Sequence, residues 1–140
     1  MPDVDLVILK RRAQPLRAEV QRGIDVQRGV RLNVHEVIGS EESGDRSRLE
    51  AIVRARNEGR TRGTAPWFMF LDDDVELEPG CIRALLDALT SRPAFAALAA
   101  DYLGEAKPGR IASHVAMGAT LFRRSVLREL RFRFQGKRCE

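Results

Sequence analysis

The sequence predicts an α/β domain in which a mostly parallel sheet carries helices on both faces. Two observations predict it. Apolar runs of five or six residues, too short for helices, alternate with segments whose apolar residues recur every three or four positions, and glycine or proline punctuates the joins. Strands that alternate with helices favour parallel pairing through right-handed crossovers, which distributes the helices over both faces.

The elements follow in order. Residues 4–9 are a mostly apolar, partly β-branched run, as a buried opening strand requires. The cationic turn Lys10-Arg11-Arg12 leads to a helix from Pro15, with Leu16, Val20 and Ile24 at every fourth position and Gly29 closing it. Val30, Leu32 and Val34 then alternate with Arg31, Asn33 and His35 ahead of Val37-Ile38, the pattern of a second strand. A stretch of glycine, serine and acid at 39–45 separates it from a second helix, with Ser47 and Glu50 as a capping box and Leu49, Ile52 and Val53 on one face. Gly59 and Gly63 end that helix. Pro66 introduces the five apolar residues 67–71, suited to a central strand, and Pro79-Gly80 start a third helix built on Ile82, Leu85, Leu86 and Leu89. Residues 95–103 read as another strand, with helix as the competitor because of their alanines; 111–122 read as extended and broken at Gly118, and 125–130 as a short helix. There is no internal repeat and no linker, so residues 1–140 form a single domain.

Composition narrows the function classes. At 140 residues and 44% hydrophobic content the chain can bury a real core. Its net charge of +4, from 24 basic and 20 acidic side chains, is too balanced to indicate a nucleic-acid binder. Seven basic residues between Arg123 and Arg138, opposed only by Glu129, together with Lys10-Arg11-Arg12, suit an anionic partner such as a diphosphate or an acidic membrane surface; a solvated cationic face is the alternative. Cys81 and Cys139 match no metal or redox spacing. The N-terminus lacks a signal pattern and no apolar run is long enough for a bilayer, so a cytoplasmic protein is expected, with peripheral membrane contact left open. Arginine outnumbers lysine 21 to 3, which fits a GC-rich bacterial genome.

The feature that carries chemistry is Asp72-Asp73-Asp74, placed where the third strand ends. In open α/β sheets ligands bind in the crevice outside the carboxyl ends of the strands. Adjacent carboxylates repel, and a cation or hydrogen-bond donors must offset that repulsion. Mg2+ and Mn2+ prefer such oxygen ligands and bridge readily to a diphosphate. The competing reading is a helix cap or a solvated acidic face. A calcium loop fails on spacing, since Leu77 stands at the position that needs glycine and Arg83 at the position that needs an acid. A haloacid-dehalogenase-type phosphatase would want Thr or Val where Glu76 stands, and a polymerase-beta-type nucleotidyltransferase would want its acid pair much nearer to Gly39-Ser40.

The run Ala55-Arg56-Asn57-Glu58-Gly59, followed by Ala65-Pro66, the apolar strand and Asp72-Asp73-Asp74-Val75, resembles family 2 glycosyltransferases and their A-type (GT-A, Rossmann-like) nucleotide-sugar-binding fold. Met117-Gly118-Ala119-Thr120-Leu121-Phe122-Arg123-Arg124 resembles the family's acceptor-side segment. The resemblance implies that residues 1–103 are the nucleotide-sugar-binding half and 104–140 the start of the acceptor-side half, with truncation an open alternative. It implies that Asp74 binds an Mn2+ or Mg2+ ion bridging the donor diphosphate, with Asp72 or Asp73 contacting the ribose or orienting the metal. Arg56 and Asn57 resemble positions near the nucleotide, with polar helix-end residues as the alternative, and Gly118 would let backbone approach the donor sugar. Two places depart from the family pattern: Lys10-Arg11-Arg12 replaces a Pro-Thr-x-Asn type turn, and Gly39-Ser40-Glu41-Glu42 replaces an Asp pair, which leaves Glu41 as the candidate for contacting base or ribose. Inverting members take their catalytic base from a Glu-Asp type motif after a segment like 132–138, which makes Glu140 the candidate base, with a base lost by truncation as the equal alternative; His114 is a candidate ligand or base with a structural role as its alternative.

The activity implied is transfer of a sugar from a nucleoside-diphosphate sugar to the hydroxyl of a glycan, lipid or small-molecule acceptor, with inversion. The alternative is a glycosyltransferase-like module that binds nucleotide or a partner protein without turnover.

Overall fold

A computed structural model describes residues 1–39, 45, 47–100, 117–132, 134–135 and 138–139 of the chain. Strand β1 (Asp3–Lys10) pairs in parallel with β2 (Arg31–Ile38) on one side and with β3 (Trp67–Asp72) on the other. Beyond β3 lie β5 (Ala119–Arg123) and β4 (Ala97–Ala99), giving the order β2-β1-β3-β5-β4. The central position of β1 and β3 explains their composition. With neighbours on both sides and helices above and below, both strands are buried almost throughout.

The sheet is mixed. The β2-β1 and β1-β3 pairings are parallel, whereas β3-β5 and β4-β5 are antiparallel, so the mostly parallel expectation holds only for the half that includes β1, β2 and β3. The strand β5 follows residues outside the described set, and its direction depends on the path of that connection rather than on any pattern within residues 119–123.

Side-chain alternation along the strands builds two cores. On one face Leu6 and Ile8 of β1 and Met69 and Leu71 of β3 meet helices α1 (Ala18–Asp25) and α3 (Cys81–Thr90) through Val20, Ile24, Ile82, Leu86 and Leu89. On the other, Val7, Phe68 and Phe70, with Phe122 of β5, meet α2 (Arg48–Gly59) and α4 (Arg124–Leu127) through Ala55 and Leu127. Phe68, Phe70 and Phe122 pack edge to face, with centroid separations of 4.7 and 6.2 Å.

Helix α2 departs from its expected face. Ala51, Ala55 and Gly59, four residues apart, turn toward the sheet together with Val53, while Leu49 and Ile52 are only half-buried. Small residues on the contact stripe let the helix lie close to the strands. Ser47 caps α2 as expected, its Oγ accepting the Glu50 N–H at 3.2 Å. Helix α1 starts at Ala18, three residues after Pro15, and Leu16 packs on the core from the preceding loop. Gly80, at φ +80°, begins α3. A short hairpin of β6 (Phe134–Gln135) and β7 (Arg138–Cys139) lies against α2.

One buried polar cluster ties these parts together. Asp5 on β1 accepts hydrogen bonds from the Ala65 N–H at 2.8 Å and from Arg124 Nη2, and lies 3.1 Å from His35 Nε2. Arg124 also donates through Nε to the Ala65 carbonyl at 3.0 Å and stacks over Phe68 at 5.0 Å. At Gly63, with φ +68°, a Cβ would fall 2.1 Å from the Asp5 carboxylate, so both the turn and the space demand glycine. The basic stretch 123–138 is therefore not uniformly a surface patch: Arg124 is an interior residue, and Arg123 donates to backbone carbonyls of Leu89, Arg92 and Phe95.

Candidate functional site

Because β1, β2 and β3 run in the same direction, their carboxyl ends reach one edge of the sheet together. Leu9 of β1 stands opposite Asp72 of β3, Lys10 opposite Ile38 of β2, and the Gly39 N–H donates to the Lys10 carbonyl at 2.7 Å. Above this edge an inner cleft of about 100 Å³ is lined by Asp72, Asp73 and Asp74 together with Arg11, Arg48 and Arg56. It adjoins an outer cleft of about 370 Å³ that shares Lys10, Arg11, Asp73 and Asp74 and is walled by the 12–17 loop. Of the two, the outer cleft reaches the roughly 300–1,000 Å³ common for small-molecule sites, and a ligand that also touches Asp72 and Arg56 would have to span both.

The three aspartates are held differently. Asp72 closes β3, its N–H donating to the Gly118 carbonyl at 2.8 Å, and its side chain is half-buried. Burial pushes its carboxyl above the ordinary aspartate range; the Arg56 guanidinium pulls it back, Asp74 and Asp73 push it up again, and Arg11 opposes them. Asp73 is half-buried, and its Oδ2 accepts the Arg11 N–H at 3.0 Å, which latches the loop after β1 onto the acidic triplet. Asp74 is exposed at the mouth. Val75 and Leu77, both buried, anchor the chain just beyond. Lys10 is turned to Glu36, 3.2 Å away.

Carboxylate oxygens are the donors that hard divalent cations prefer. Among the described residues no three His, Cys, Asp or Glu side chains form an assembled metal cage. Mg2+ needs none: it is commonly held by one or two carboxylates with substrate phosphates and waters completing its shell. Burial is the main cause of the raised Asp72 carboxyl, and a cation held beside the triplet would relieve the repulsion that Asp74 and Asp73 add to it.

The structure brings Arg56 and all three aspartates of the sequence-derived site to one cleft and places Gly118 beside them through its backbone. Asn57 is engaged elsewhere, its amide meeting the backbone of Phe132. Glu41, His114 and Glu140 lie outside the described residues. Arg48 escaped the sequence reading, because at the first position of a capped helix it looks like any solvated arginine. Arg11 was visible only as part of a cationic turn; its contribution to the latch comes from backbone, which side-chain identity does not encode.

The family model for Glycosyl transferase family 2 matches residues 45–137, a span that contains α2, β3 with the acidic triplet, α3, β5 and α4. The chain belongs to this family. No curated protein matches it. Membership in glycosyltransferase family 2 implies, in general terms, a nucleotide-sugar donor and an acceptor, and sets the cleft beside Asp72 in a mixed α/β domain consistent with a GT-A-like fold. Among the described residues no helix is long and apolar enough to cross a membrane.

Proposed function

We propose that this chain transfers a sugar from a nucleoside-diphosphate sugar to an acceptor hydroxyl, with inversion, and that the cleft above β1 and β3 holds the donor. The observation that carries the reading is the charge arrangement: three carboxylates at a strand end share the lining of one cleft with Arg11, Arg48 and Arg56. A purely anionic ligand would be repelled by the aspartates and a lone cation by the arginines. A diphosphate carrying a divalent ion satisfies both sets.

Asp74 and Asp72 would hold Mn2+ or Mg2+, which when bound withdraws charge from the leaving nucleoside diphosphate. Arg56 and Arg11 supply further positive charge toward the phosphates, and Arg48 bounds the cleft at the start of α2. Asp73, fixed by the Arg11 N–H, holds the β1–α1 loop against the site. Glu41 is assigned to base or ribose, Gly118 to close approach of the donor sugar, and Glu140 to deprotonating the acceptor hydroxyl; a positioned base of that kind contributes roughly a hundredfold or more. In this assignment residues 1–103 bind the donor and 104–140 begin the acceptor side.

Calorimetric titration with UDP and GDP, with and without MnCl2, tests the reading. Saturable binding that requires Mn2+ is expected, and Asp74→Ala should abolish the metal dependence while circular dichroism stays that of the wild type. Equal affinity in the variant would remove the basis for the assignment. Hydrolysis or transfer assays with the same donors then distinguish a transferase from a module that binds without turnover.

A further inference from the structure

Asn57, in the last turn of α2, spends its whole side-chain amide on one residue 75 positions away. Its Nδ2 donates to the Phe132 carbonyl and its Oδ1 accepts the Phe132 N–H, both at 2.8 Å. This is the two-bond exchange that paired strands make, here made by a side chain, and it fixes both the place and the direction of the backbone at 132. The Phe132 ring is thereby set edge-on to Phe70, with centroids 5.7 Å apart, and beneath the Arg56 guanidinium, 5.8 Å from the ring centre.

Adjacent residues on a helix diverge by about 100°, so Asn57 cannot steer Arg56 directly. It can do so through a ring delivered from another part of the chain. Arg56 lines the cleft with Asp72, and a long arginine side chain loses considerable rotamer freedom when fixed. A ring face that favours the guanidinium on one side preorganises it before any ligand arrives.

We propose that Asn57 is a positioning residue: by clamping Phe132 it uses that ring to hold the Arg56 guanidinium in the cleft beside Asp72, ready for the phosphates of the donor. The last clause rests on the donor-binding reading above; the positioning itself does not. The alternative is that Asn57 merely tethers the chain ahead of the β6–β7 hairpin.

The variants Asn57→Ala, Phe132→Leu and Phe132→Tyr separate the two, with leucine keeping apolar bulk and tyrosine keeping the ring. The first readout is the NMR shift of the Arg56 Hε proton, bonded next to the Cζ that stands 5.8 Å over the Phe132 ring. It is expected to move toward random-coil values in Asn57→Ala and Phe132→Leu and to persist in Phe132→Tyr. The second readout is affinity for UDP or GDP with MnCl2: a loss of about fivefold is expected in Asn57→Ala and Phe132→Leu, and none beyond about twofold in Phe132→Tyr. In an Arg56→Ala background Asn57→Ala should cost nothing further, as a shared pathway requires. An Arg56 shift unmoved in Asn57→Ala, or an undiminished Asn57→Ala effect without Arg56, overturns the proposal. If the wild type binds neither nucleotide, the donor reading fails, while the NMR shifts still decide the positioning. If Asn57→Ala does not fold, Asn57→Asp, which keeps the oxygen that accepts the Phe132 N–H and loses the donor to its carbonyl, takes its place under the same criteria.

Discussion

At the scale of single residues, the site is kept under electrostatic tension. Asp72 is the clearest case, its carboxyl raised first by burial, with neighbouring aspartates adding to the effect and Arg56 and Arg11 opposing it. For an acid whose value in the folded chain lies above that in the unfolded chain, ionisation disfavours folding. The associated stability is complete below the ordinary aspartate range and is lost as pH rises through the higher folded value. Asp72→Asn is therefore expected to raise Tm at pH 7 in metal-free buffer, with the gain disappearing below the ordinary aspartate range; a variant less stable than wild type at pH 7 would refute the sign. Asp5 is held by direct pairing, its carboxylate bonded to Arg124 and to the Ala65 N–H in the interior. Removing one partner of a buried pair leaves the other uncompensated, at a cost of about 3–5 kcal/mol. Arg124→Met should show a loss of that size in urea unfolding, whereas Arg128→Met, at an exposed position, should change stability little. Neither Asp5 nor Arg124 was legible as a partner from sequence. They are 119 residues apart, and Arg124 sits in a basic stretch that suggested a surface.

At the scale of elements, legibility followed the range of the interactions that decide each one. Helix α3 and strands β1 and β3 were readable because their periodicity and their Gly and Pro boundaries are local. The buried face of α2 was not, because the sheet selects small residues for close approach and leaves Leu49 and Ile52 at the flank, where Ile52 borders the cleft. The antiparallel run of β5 was likewise invisible, since nothing within residues 119–123 records the route of the chain before them. The start of α2 is a local matter again: Ser47 Oγ satisfies the Glu50 N–H, and the first turn carries Arg48 into the cleft. Ser47→Ala should cost about 0.5–2 kcal/mol in urea unfolding. On the proposed reading it should also weaken nucleotide binding, because fraying would displace Arg48; Ser47→Asp, which retains a capping oxygen, should restore both. A Ser47→Ala variant as stable as wild type would mean that the cap contributes nothing to α2.

At the scale of the whole molecule, the two cores hold β1 and β3 and deliver their carboxyl ends to one edge, so the cleft sits at the ends of strands with buried interiors. A ligand that binds only this assembled edge must stabilise the entire fold. At a free concentration one hundred times its Kd the added stability is about 2.7 kcal/mol, which for a domain of this size shifts Tm by several degrees. The cleft's composition determines how that shift should respond to conditions. Arginines paired with phosphates are screened by salt when they lie near solvent, with a Debye length of about 10 Å at 0.1 M and about 3 Å at 1 M. The Tm increase with UDP or GDP plus MnCl2 should therefore shrink as NaCl is raised from 0.1 to 1 M, should vanish when the matching nucleoside replaces the diphosphate, and should be absent in Asp74→Ala. A shift indifferent to all three changes would place the ligand somewhere other than between the aspartates and the arginines, since no site built from those opposing charges can bind a diphosphate without feeling salt, phosphate and acid together.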